Sequence, residues 1–285
     1  MIKKDLNTKQ VGNLFGVDES TVRRWSLAGK IKSSSSAGGH RTFSYKNIIE
    51  FAKSKGLSLN INKNLDKLDA KTIVKNLTEL ALNNDTKSFE KTLVQLYLNG
   101  IQLTEMMDNC IEPCLVKIQK KLDDKEISVA EEHIARKIVS KSLNNFKYSI
   151  INDKALKGKN ILCLNLENDI PDLPIDMIQI LLENSGYTVD NCGSHTSIEN
   201  LKNLLKDKEY EALFIYLCDR QCCTSTMIDN IKKTNESLKE ISLLGKKYNI
   251  KLFLGGPSFN TINKETLKNF HTFTDYSESL ILNKM

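Results

Sequence analysis

From Lys157 to the C-terminus, short apolar runs alternate with helical patterns: NILCLNL, IDMIQILLENSG, YTVDNC, IENLKNLLKD, EALFIYLC, a long helix to about Lys247, KLFLGG and KETLKNF. Continuous apolar runs of strand length, each followed by a helix, predict a parallel, doubly wound sheet of four or five strands covered on both faces. Such a sheet receives ligands at the C-terminal ends of its strands. The turn ENDIPDLP, after the first strand, and the turn CDRQCC, after the third, are therefore candidate site segments.

Upstream, the period is helical. Ile73, Val74, Leu77, Leu80 and Ala81 fall on one stripe, and Leu93, Val94, Tyr97 and Leu98 on a second. Met106, Met107, Cys110, Ile111 and Leu115 form a third, and Ile134, Ile138 and Val139 a fourth. Four amphipathic helices with short loops predict a four-helix bundle, with Pro113 breaking or kinking the third helix.

Charge divides the chain unevenly. Residues 1–58 carry eleven Lys/Arg against four Asp/Glu, which gives +7 there and, with the whole chain at +6, about −1 in the rest. A basic head on a near-neutral body is the footprint of a nucleic-acid-binding module. Within it, TKQVGNLF reads as a short helix with Asn7 or Thr8 as N-cap, GVD as a turn, and ESTVRRWSLAG as a second helix capped by Asp18 and closed by Gly29. Two short helices joined by a tight turn predict a helix-turn-helix whose second helix enters the major groove. Ser20 and Thr21 then read bases, Arg23, Arg24 and Arg41 contact phosphates, Trp25 follows one step along, and His40 lies with Arg41 over the sugar–phosphate backbone. Lys30 to Lys32 and Arg41 to Phe43 pair as a wing, and Ser44 caps a third helix. The partner is a double-stranded DNA operator, bound by a homodimer or a tetramer.

The strings STVRRW and GGHRTFS, in the order helix, turn, helix, wing, helix over residues 5 to 57, resemble the DNA-binding domain of the MerR family of transcriptional regulators. In the bundle, KEISVAEEHIARKIV is similar to the helical cap of light-sensing MerR-type repressors and of corrinoid proteins. There the resemblance implies that Glu132 and His133 face a corrin, although Leu122 stands where the group has a Trp. The C-terminal third resembles the cobalamin-binding fold, whose signature is DxHxxG, then SxL, then GG. Asp169, Gly255 and Gly256 match it, with 41 residues between Pro174 and Tyr216. Pro171 replaces the cobalt-ligating His, Pro174 replaces the Gly, and Tyr216 replaces the small Ser that leaves room for the cofactor tail. The resemblance thus implies a degenerate site, and the expectation is that cobalamin is not bound and that no cofactor is present.

Cys192, His195, Cys218, Cys222 and Cys223 belong to the same strand-end edge. With His133 they form a candidate sensing set for metal, haem or oxidation, and an unknown small ligand or a docked partner protein are the alternatives. Seven irregularly spaced cysteines do not suggest a disulfide framework. No segment approaches the ~20 apolar residues of a membrane span. The expected protein is a cytoplasmic, nucleoid-associated, non-enzymatic regulator. Its segments are a head over 1–57, a linker over 58–67, a bundle over 68–150 and an α/β domain over 156–285.

Overall fold

A computed structural model describes residues 5–35, 40–55, 69–151, 159–167, 173–218 and 228–280. They group into two compact units, Met1–Ile151 and Asn152–Met285. The linker expected over 58–67 lies outside the described residues.

In the first unit, helix α1 (Thr8–Phe15) starts on a reciprocal cap. Asn7 Oδ1 accepts from the Gln10 amide at 2.9 Å while Gln10 Oε1 accepts from the Asn7 amide at 2.8 Å. Gly16, at φ 64°, ends it in the left-handed conformation. The turn to α2 (Glu19–Leu27) is tight enough that a Cβ on Gly12 would lie 2.7 Å from the Val17 carbonyl oxygen. Asp18 stands at the N-cap of α2, but its side chain makes no capping bond. Strands β1 (Leu6–Asn7), β2 (Ser34–Ser35) and β3 (Arg41–Phe43) form an antiparallel sheet in the order β1-β3-β2. The hairpin is therefore displaced from the expected Lys30–Lys32 pairing. The Lys30 and Ile31 amides instead bond back to the Trp25 carbonyl and close the end of α2, which buries Ile31. Helix α3 (Tyr45–Lys55) is capped by Ser44, whose Oγ accepts from the Asn47 amide. Val11, Leu14, Phe15, Val22, Ile31, Phe43, Ile48, Phe51 and Ala52 fuse these pieces into one core.

The rest of the unit is helical: α4 (Ala70–Leu82), α5 (Thr86–Leu98), α6 (Leu103–Met106), a π turn (Met107–Ile111), α7 (Glu112–Asp123) and α8 (Val129–Ile150). Asp69, Asp85 and Ser128 cap α4, α5 and α8 through their side chains. Pro113 does not break the third helical segment. The segment widens into the π turn just before the proline, with the Glu112 amide reaching back to the Met107 carbonyl, and then continues. Ile73, Leu77, Ala81, Leu93, Val94, Leu115, Ile138 and Val139 are buried as the stripes predicted, whereas Ile134 is half exposed. Helix α3 packs on α5 and α8, Lys53 Nζ donates to Tyr97 Oη at 2.8 Å, and Leu98 joins the core of the N-terminal segment.

In the second unit, β4 (Asn160–Leu164), β5 (Thr188–Asn191), β6 (Ala212–Tyr216), β7 (Lys251–Gly255) and β8 (His271–Phe273) form a wholly parallel sheet in the order β5-β4-β6-β7-β8. Four helices join them: α9 (Leu173–Asn184), α10 (Ile198–Asp207), α11 (Ile228–Tyr248) and α12 (Lys264–Leu267). Leu162, Leu164, Leu213, Ile215, Leu252 and Leu254 meet Leu201, Leu205, Leu238 and Ile241 of α10 and α11. By strand alternation Ile161, Cys163, Phe214, Tyr216 and Phe253 point to the other face, where α9 packs on β4 and β6. Strand β8 was not anticipated, because three residues carry no readable alternation. The chain leaves β4 for β5 on one side and returns to β6 on the other, so the topological switch point lies between the ends of β4 and β6.

Candidate functional site

Two sets of candidate residues fall on two different kinds of surface. On α2, Val22 is fully buried and Trp25 packs edge-on against Phe15 at 5.7 Å and tilted against Phe51 at 4.8 Å. These inward residues rotate Ser20, Arg23 and Arg24 outward to solvent, while Thr21 is half buried. Arg24 Nη2 donates to Thr21 Oγ1 at 3.1 Å, and Arg23 lies 3.5 Å from Glu19. Exposed His40 and half-buried Arg41 stand at the start of β3. Trp25 is thus half buried and packs against the core from behind the helix.

At the C-terminal ends of the parallel strands, neighbouring turns are tied to one another in two pairs. The Asn165 amide bonds to the Gly193 carbonyl and the Thr196 amide to the Asn165 carbonyl, which zips the turn after β4 to the turn after β5. The turns after β6 and β7 are tied likewise: the Leu217 amide donates to Gly255, and Ser258 Oγ donates to the Cys218 carbonyl at 2.8 Å. Gly256, at φ 99°, is required here, since a Cβ would come within 2.2 Å of the Leu217 carbonyl oxygen. A Cβ on Gly255 would lie 2.1 Å from the Phe273 ring. Tyr216 is buried and its ring stacks on buried Tyr276, with centroids 6.1 Å apart and planes 5° from parallel. Pro174 is buried in the first turn of α9, where its missing N–H leaves no bond unmade. Asp169, Pro171, Cys222 and Cys223 lie outside the described residues.

The remaining candidates differ in exposure. In α8, Glu132 is buried and pairs closely with Arg136, which also reaches Gln119 Oε1 at 3.3 Å. His133 projects outward, 66% exposed, with Nε2 3.8 Å from the Glu132 carboxylate. In the second unit His195 is exposed with φ 62°, Cys192 is half buried, and Cys218 is buried. Burial, with the charge of Asp190, raises the Cys192 thiol, and burial raises that of Cys163 well above its ordinary value. Cys110 and Cys114 are pushed up to about 11, again by burial first. Thiols held protonated are poor nucleophiles and poor ligands for soft metals. Among the described residues, no three of His, Cys, Asp and Glu gather as a metal site would require.

Tyr276 and Phe273 were not read as site residues, since nothing near them in sequence marks them. The parallel pairing of β8 with β7 brings them there.

Residues 159–279 match the B12 binding domain family. No curated protein matches the chain. Among solved structures, the monomethylamine corrinoid protein of Methanosarcina barkeri is similar at 12% identity with a TM-score of 0.57, over 76% of this chain and 100% of that one. A cobalamin-binding protein from Desulfitobacterium hafniense DCB-2 follows at 13% identity and a TM-score of 0.36, over 74% and 97% of the two chains. The methanol:cobalamin methyltransferase complex of Methanosarcina barkeri gives 12% and 0.35, over 74% and 78%.

The second unit is therefore a B12-binding domain, in a chain that mixes helices with a five-stranded parallel α/β sheet. The expectation that no cofactor is present and that cobalamin is not bound is corrected by the family match across the whole domain. That expectation rested on three altered signature positions, and the match shows that the domain around them is kept. The donor set still limits the mode. Pro171 has no atom that can ligate cobalt, and Tyr216 and Phe273 occupy the space beside the glycine pair. The residues present do not fit a His-ligated corrinoid whose tail is buried beside β6. No helix among the described residues is long and apolar enough to cross a membrane.

Proposed function

We propose that the chain is a DNA-binding transcriptional regulator whose B12-binding domain is its sensing half. The observation that carries this reading is α2, a helix anchored by Val22 and Trp25 that offers Ser20, Arg23 and Arg24 together on its exposed face. A short capped helix before it, a two-stranded hairpin with Arg41 after it and the +7 charge of residues 1–58 support a winged helix-turn-helix reading. One module of this size binds a single half-site, so the working form is a homodimer or tetramer on a two-fold-related operator. The chain catalyses no reaction in this reading. A corrinoid at the sheet edge alters operator affinity by favouring one arrangement of the heads.

The test is a fluorescence-anisotropy titration of a labelled duplex from the chain's own upstream region. It is run at two salt concentrations, with and without adenosylcobalamin. The expected results are binding that weakens steeply with salt and a midpoint that moves when the corrinoid is added. No binding to any duplex at low salt would sink the DNA half of the reading.

A second reading is favoured by the likeness in fold to the Methanosarcina barkeri monomethylamine corrinoid protein: a corrinoid carrier that docks on a methyltransferase. It predicts a corrinoid-loaded protein that ignores DNA and is demethylated by a partner enzyme. The basic N-terminal segment has no use in such a carrier.

A further inference from the structure

We propose that Tyr216 and Tyr276 plug the crevice at the end of β6. The domain then accepts a corrinoid at the strand-end edge with the lower nucleotide base left outside the protein. This rests on the reading that the domain binds a corrinoid, and it specifies which corrinoids and in what form.

The plug is continuous. On the α9 face of the sheet, Phe214 stacks on Phe253 with centroids 4.4 Å apart, and Phe273 lies 6.2 Å from Phe214 over Gly255. The Tyr216–Tyr276 stack sits two residue pairs further toward the strand ends. Phe273, Tyr216 and Tyr276 are each nearly fully buried, so the rings already fill the volume that an inserted aromatic base would need. The segment that carries two of them is also pinned. Glu278 Oε2 accepts from the Thr274 amide at 2.7 Å, the Ser279 amide donates to the Tyr276 carbonyl, and Phe273 closes β8 against β7. Hydrogen bonding from the Thr274 amide, the largest of the lowering causes, holds the Glu278 carboxyl below its ordinary value, as expected for a carboxylate that staples a turn.

Inserting a nucleotide base would mean expelling Tyr276 and unmaking this turn. A corrinoid that keeps its base on cobalt, or one without a nucleotide loop, does not meet this obstacle.

The experiment titrates the full-length protein with adenosylcobalamin and separately with adenosylcobinamide, which lacks the nucleotide loop, and reads the visible spectrum. The expected results are that both bind with similar affinity and that bound adenosylcobalamin keeps its red base-on spectrum. A shift to the yellow base-off spectrum on binding, or a preference for the cobalamin of more than about tenfold, would overturn the plug while leaving corrinoid binding intact. Binding of neither compound would overturn the plug and the corrinoid half of the proposed function together. In the variant Y216S/Y276A, checked for folding by near-ultraviolet circular dichroism, the cobalamin is expected to gain about tenfold over the cobinamide. Wild-type preference retained in the folded variant would also count against the plug.

Discussion

The exposed face of α2 and the strand-end edge of the parallel sheet solve opposite problems. On α2 the aromatic residue faces inward and the polar residues outward, so the helix is fixed from behind and its chemistry is presented to solvent. At the end of β6 the aromatic residues Tyr216 and Tyr276 are themselves buried and stacked on one another. Both depend on packing by Trp or Tyr rings, yet only the first leaves polar groups free to act at a distance.

The first way to break the comparison is at Gly256. If the sheet edge is held by its own backbone contacts, G256A should be the most damaging single change in the second unit. It sets a Cβ against the Leu217 carbonyl at a φ that side chains avoid, and should cost about 3 kcal/mol. Thermal denaturation should show the loss, while residual folded protein should bind duplex DNA as before. An unchanged melting temperature would mean that the edge rearranges freely.

Next in size is a pH effect at the base of the N-terminal segment. Burial first, and then the Glu90 charge, push the Tyr45 hydroxyl from 10.0 up to about 12. Because the folded value lies above the unfolded one, the neutral hydroxyl stabilises the fold fully below pH 10. That contribution, about 3 kcal/mol at most, is lost as pH rises from 10 toward 12. Y45F should remove this alkaline limb from denaturation curves, and a wild-type curve flat across that window would contradict the burial.

On α2 itself, R24A should weaken binding to all duplexes alike and lower the magnitude of the salt slope by about 1. W25A, by contrast, should lose DNA binding only together with thermal stability, since the ring touches Phe15 and Phe51. A W25A protein that melts normally but fails to bind would return Trp25 to the contact surface.

The two surfaces also differed in how much of them the sequence disclosed. The α2 face was legible because helix periodicity fixes orientation within nine consecutive residues: once Val22 is inside, Arg23 and Arg24 are not. The alternating apolar runs likewise disclosed β4, β5, β6 and β7, and the glycine pair marked a place of close approach. What stayed hidden was non-local. The rings that meet at Gly255 and Tyr216 come from a three-residue strand and a turn with no pattern of their own. The hairpin register slipped because Ile31 is drawn into the core by the end of α2, a contact that periodicity does not encode. Three substituted signature residues weighed too heavily toward loss of the cofactor, because they are three positions in a family match that runs over residues 159–279.

The smallest predicted effect sharpens the comparison from the exposed flank of the sheet. Asp190, at the edge strand β5, accepts from Lys208 Nζ at 2.6 Å and from Tyr210 Oη at 2.7 Å. Partial burial alone would raise its carboxyl, but the hydrogen bonds from Lys208 and Tyr210 and the Lys208 charge outweigh it, and the value falls below 3.8. A depressed folded value gives stability that is present at neutral pH and lost as the pH falls through the ordinary carboxylate range and below it. With both side chains over a third exposed, solvent screens the pair, and D190N should cost only about 0.5 kcal/mol at pH 7. The variant and the wild type should converge in acid-denaturation curves. A loss several times larger would mean that β5 is held by Asp190 in the way that β6 and β7 are held by Gly256, and that this edge too is part of the closed site.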